Sequence, residues 1–113
     1  MENIDVMIIC PVRNGTPSGV LDHVKQLEEL GLKVYLPPRD TPQDDPTGEA
    51  ICQRTLEAIK CAKEIHVWYS SDSQGCHWDC GSAYALGKKM ILINPDEPDR
   101  NGKSYMKVIK SCG

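Results

Sequence analysis

No apolar run in the 113-residue chain approaches the ~18–20 residues needed to cross a bilayer, and the opening MENIDVMIIC carries acids where a secretory leader would carry Lys or Arg. No more than two like charges stand together and the formal charge is only −3, so the footprint of a protein that grips nucleic acid or an anionic membrane is missing. These absences predict a cytoplasmic protein whose partner is neither a membrane nor a nucleic acid polymer. The loop CPVRNGTPSG (10–19) is followed by no Gly-Lys-Ser/Thr, so it is not a Walker phosphate loop. Phenylalanine is absent, yet 40% hydrophobic and 26% charged residues make an ordinary globular composition. The length fits a single domain, 1–113, with enough chain to bury a core without disulfides. The six cysteines are spread over predicted strands, helices and the tail, and are expected to be reduced and mostly buried.

What is present is an alternation of apolar runs and amphipathic stretches. IDVMII (4–9) reads as a buried strand stopped at Cys10-Pro11. In VLDHVKQLEEL, Val20, Leu21, Val24, Leu27 and Leu30 share one helical face, with Ser18 or Thr16 as N-cap and Gly31 as the stop. LKVYLPP is a second strand, followed by the polar loop RDTPQDDPTG. A second helix runs from Thr47, with Ile51, Cys52, Thr55, Leu56, Ile59 and Ala62 facing inward. EIHVWY is a third strand, 70–76 a loop, 77–86 a helix ended by Gly87, and KMILIN a fourth strand broken by Pro95, with a last short helix from about Ser104.

Strands alternating with helices at this spacing predict right-handed βαβ units and an α/β fold. Its expected form is a flavodoxin-like, doubly wound parallel sheet in the order 2-1-3-4, with room for a fifth strand and helices on both faces. Ligands in such sheets settle beyond the carboxyl ends of the strands at the switch point, here between the first and third. Two loops are singled out, Cys10–Pro17 and Ser70–His77. The first offers Arg13, Asn14 and Gly15 ahead of a helix start, a small anion site or an exposed turn. The second supplies Asp72, Ser73, Gly75 and, in the first turn of its helix, Asp79, beside Trp78. A carboxylate there is an ordinary helix-start acid, stabilised as the anion by the dipole, or a nucleophile or base facing the crevice. Cys76, His77 and Cys80 lack the fourth donor and partner pair of a structural zinc site, so neither metal nor cofactor is expected. His66 is expected to be a satisfied core histidine and His23 to lie on a solvated helix face.

Three segments, ICPVRNG, QRTLEAIKCAKEIHVW and SQGCHWDCGSAYALGKKMILIN, together make the chain resemble the nucleoside 2-deoxyribosyltransferase superfamily, including its smaller relatives that hydrolyse deoxynucleoside 5′-monophosphates. The likeness spans residues 4–94, and the third segment, similar to the family's G-x-x-x-E-x-G-x-A…K stretch, is the most specific. The resemblance implies that a carboxylate attacks the anomeric carbon of a nucleoside or nucleotide, giving a glycosyl-enzyme resolved by water or a second base. The residue matching the family's glutamate is Asp79, shorter by one methylene, a retreat of ~1.5 Å. Misplacement on that scale can cost about a hundredfold in rate. Thr55 stands where the family usually has an aspartate and Met7 where it often has a tyrosine. Arg13, Asn14 and Gly15 match the nucleotide-holding loop, and Trp78 or Tyr69 is placed to stack on the base. Three readings follow: an N-glycosidic enzyme, a nucleotide-binding module that has lost catalysis, or a glycosidic enzyme for a dinucleotide or modified nucleotide to which a shorter acid is suited. Relatives often complete their sites across a subunit interface, so a homo-oligomer is compatible with each.

Overall fold

The computed structural model describes residues 3–94 and 102–113. Among these residues nine elements follow one another: β1 (Ile4–Ile9), α1 (Ser18–Glu29), β2 (Val34–Tyr35), α2 (Pro37–Asp40), α3 (Glu49–Cys61), β3 (Ala62–Val67), α4 (Gln74–Ala85), β4 (Met90–Leu92) and α5 (Tyr105–Ser111). All strand pairings are parallel, in the order β2-β1-β3-β4, and the described residues contain these four strands. This is the flavodoxin-like arrangement that the alternation of elements predicts.

The period-two pattern of β1 assigns its two faces. Val6, Ile8 and Cys10 pack with Val20 and Val24 of α1 and with Val34 and Leu36. Met7 and Ile9 pack on the other side with Ala58 and Ile59 of α3, Cys76, Cys80 and Ala83 of α4, and Ile109 of α5, and Ile4 at the strand's start joins this cluster outside the alternation. The reversal of winding direction thus falls between β1 and β3, whose tips are tied where Trp68 N–H donates to the Ile9 carbonyl at 2.8 Å. Among the described residues no helix is long and apolar enough to cross a membrane.

Local chemistry explains where elements begin and end differently from expectation. Pro37-Pro38 opens α2 rather than closing a strand, because proline at the first helical positions sacrifices no needed N–H. Helix α1 starts at Ser18 with Pro17 as N-cap and no side-chain cap, so neither Ser18 nor Thr16 plays that part. Gly31 ends it at φ 84° as expected, but Leu21 and Leu30, at the edges of the apolar stripe, are exposed. In α3 the inward side is Thr55, Ala58 and Ile59, while Cys52 and Leu56 face solvent. The last helix is capped by Ser104, docked through Met106 and Ile109, and joined to β4 by Met90 N–H to the Cys112 carbonyl at 3.0 Å. Pro95 lies outside the described residues.

Two features lock α1 over β3. A Cβ at Gly19 would meet the Trp68 ring at 2.5 and 2.6 Å, so only glycine lets the helix start approach the strand end. One turn on, His23 Nε2 lies 2.7 Å from His66 Nδ1, and His66 Nε2 lies 2.7 Å from Glu64 Oε1. His66 is the satisfied buried histidine expected of it. His23, by contrast, is half-buried and paired rather than solvated. With Glu64 accepting from His66 Nε2–H, the Nδ1 lone pair is left to accept from His23.

Candidate active site at the strand tips

The chain leaving β3 is held before it reaches the site. Asn94 Oδ1 accepts from Tyr69 N–H and Asn94 Nδ2 donates to the Tyr69 carbonyl, both at 2.8 Å, so the buried amide fastens the end of β3 to the end of β4. Ser70 to Ser73 form a turn, and Ser73 Oγ accepts from Cys76 N–H at 3.1 Å, the bond of a helix N-cap. Helix α4 therefore begins at Gln74, three residues before the expected position.

That shift changes the reading of Asp79. It lies in the second turn, no acid occupies the first, and the dipole's benefit fades within the first turn. The expectation of an ordinary helix-start acid is overturned, because the serine already caps the helix and the cap is closed three residues too early. Asp79 is half-buried, and no described residue gives its carboxylate a hydrogen bond or a salt bridge. Burial alone pushes its pKa up from 3.8 to about 6.

Its surroundings are thiols. Burial, then Cys76, then Asp79 push Cys10 up to about 12. Burial, then Cys76, Asp79 and Cys112 do the same to Cys80, also to about 12. Cys76 is raised as well, again chiefly by burial. These sulfurs are protonated at neutral pH and supply no nucleophile. Asp79 is near enough to Cys10, the residue that follows β1 and opens the loop carrying Arg13, to add to the rise of its pKa.

In that loop Gly15 N–H donates to the Val12 carbonyl at 3.3 Å. Asn14 at φ 65° and Gly15 at φ 88° take the left-handed conformation that Asn and Gly tolerate best. Arg13, Asn14 and Gly15 are all exposed, as are Asp72 and Gly75 in the second loop. Trp78 is 67% exposed on the outer side of α4. The topology therefore brings the two loops to adjoining strand tips, and Asp79 is the half-buried acid on the helix that the second loop opens.

The two other positions singled out by resemblance are structural. Met7 is fully buried in the sheet. Thr55 Oγ1 donates to the carbonyls of Ile51 at 3.0 Å and Cys52 at 3.1 Å, within its own helix. Cys76, His77 and Cys80 do not converge: His77 Nδ1–H donates to the Ser73 carbonyl at 2.7 Å and Nε2 lies 2.9 Å from the Tyr69 hydroxyl. Among the described residues, no group of three or more His, Cys, Asp or Glu could hold a metal ion.

The His77–Tyr69 pair is a grouping that sequence reasoning missed, as is the ring of Tyr105, 5.2 Å from His77 between centroids. Ser73 four residues before His77 was the available signal, since a capping serine at 73 fixes where His77 points. No protein-family model matches the chain, and no curated protein matches it in sequence.

Proposed function

We propose that the chain cleaves or transfers the N-glycosidic bond of a nucleoside or nucleotide, with the Asp79 carboxylate as nucleophile, in the manner of the nucleoside 2-deoxyribosyltransferases it resembles. The observation that carries this reading is Asp79 itself: a half-buried carboxylate within electrostatic reach of Cys10, unbonded among the described residues, and pushed to about 6 by burial. A structural acid would be paired or exposed. A carboxylate stripped of water and of partners is costly to keep and more reactive when ionised.

In the proposed reaction an Asp79 oxygen bonds to the anomeric carbon as the bond from that carbon to the base nitrogen breaks. The bond's electron pair leaves with the base, which takes a proton from solvent, and water or an acceptor base then releases the sugar. Arg13 and the amides of 14–16 would hold a phosphate or the sugar hydroxyls. Because the carboxylate must be ionised to attack, turnover should rise through pH 6.

A second reading, a nucleotide-binding module without catalysis, is favoured by Thr55 and Met7, which offer no acid or phenol at positions where the superfamily places them. One experiment separates the two. The purified protein is incubated with deoxynucleosides, ribonucleosides and their 5′-monophosphates, and free base is measured. Release abolished by Asp79→Ala supports the enzyme. Nucleotide-dependent thermal stabilisation with no release supports the module.

A further inference from the structure

We infer that a cavity between α4, α5, the chain leaving β3 and the start of β4 is a second binding site, for a small, flat, uncharged aromatic molecule. It measures about 300 Å³ and is walled by Tyr69, His77, Gly81, Tyr84, Tyr105 and Val108 among others. A cavity of about 150 Å³ accommodates a benzene ring, so this volume suits two fused rings.

The site is distinct from the candidate site proposed around Asp79. His77 and Asp79 are two residues apart on one helix, about 200° around its axis, so they lie on opposite flanks of α4. The aromatic walls are held rather than loose. His77 is fixed by the Ser73 carbonyl and the Tyr69 hydroxyl, and the rings of Tyr69 and Tyr105 meet it edge to face, at 83° and 68°. Among the described residues no Asp, Glu, Lys or Arg lines the cavity, so none of them would repay the desolvation of a charged ligand.

Gly81 supplies the second observation. It sits inside α4, and a Cβ built on it meets nothing within 4 Å. Glycine at such a position weakens the helix relative to alanine, and no close packing requires it. What its missing side chain does is leave the cavity wall open. A residue that breaks a local rule without steric cause points to a site.

Indole is the test probe. Added to the ¹⁵N-labelled full chain, it should give saturable shifts at the amides of Gly81, Tyr84 and Tyr105, half-complete at or below about 1 mM. The charged 2-naphthoate should bind at least about tenfold more weakly. Gly81→Leu, which fills the cavity, should abolish the shifts while the protein stays folded by circular dichroism. If Gly81→Leu does not fold, Val108→Trp fills the same space from α5, where Val108 is 41% exposed. No saturation at 1 mM, equal binding of naphthoate, or unchanged indole binding in a folded cavity-filled variant would overturn the inference. Nucleotide turnover does not enter this readout, so failure here leaves the glycosidic reading untouched.

Discussion

Replacing Asp79 with asparagine should make the protein more stable, and only above the acid range. The carboxyl titrates at about 6 in the fold against 3.8 ordinarily, a gap worth about 3 kcal/mol at 1.36 kcal/mol per pH unit. Its folded pKa is raised, so the folded state binds the extra proton between these values. The stability this provides is complete below pH 3.8 and lost as pH rises through 6. Asparagine keeps the shape and never ionises. The Asp79→Asn difference should be near zero at pH 3.5, grow between pH 4 and 6, and level off above pH 7 at about 3 kcal/mol, or on the order of 10 °C in Tm. Urea melts of both proteins at pH 4, 5, 6 and 7.5 measure it directly. A flat difference curve, or a variant less stable than the parent at pH 7.5, would refute the claim that this acid is desolvated and unpaired, and with it the reason for regarding it as a site.

Other expectations follow from single contacts. Gly19→Ala should destabilise by about 1–2 kcal/mol despite alanine's better helix propensity, because its Cβ would meet the Trp68 ring at 2.5 Å. Gly81→Ala should stabilise by up to about 1 kcal/mol in the same urea melts, since nothing opposes its Cβ. Burial, and then His66, lower the His23 pKa below 6.5, so stability should be lost as pH falls below 6.5, and His23→Gln should flatten that part of the profile relative to the parent. Thr55→Val should leave any base release unchanged, because the hydroxyl is spent on Ile51 and Cys52 within α3; a large loss would return Thr55 to the site.

The sheet order was legible because burial on both faces leaves a signature in short apolar runs such as IDVMII, and because helices of this spacing permit one handedness of crossover. The start of α4 was not. Ser70 to Gly75 reads as loop composition, and only the hydrogen bond from Cys76 N–H shows that Ser73 is already the cap. The residue types at 13–15 and 79 could be picked from the strand-tip rule, but the state of Asp79 could not. It depends on which side chains surround it, and these come from β1 and from α4 itself. The α4–α5 cavity was illegible for a similar reason: Tyr69, His77 and Tyr105 meet only after β3, α4 and the tail have packed.

The central claim is that Asp79 forms a covalent bond to the sugar. A nucleotide carrying fluorine at the 2′ carbon slows the release step more than the attack, because it destabilises the oxocarbenium-like transition state through which the ester must pass. Intact-protein mass spectrometry after incubation with such nucleotides, followed by peptide mapping, reads the bond directly. One added fluorosugar per chain, mapped to Asp79 and absent from Asp79→Asn, is the predicted result; base release with the adduct on another residue, or equal release by Asp79→Asn, would contradict it.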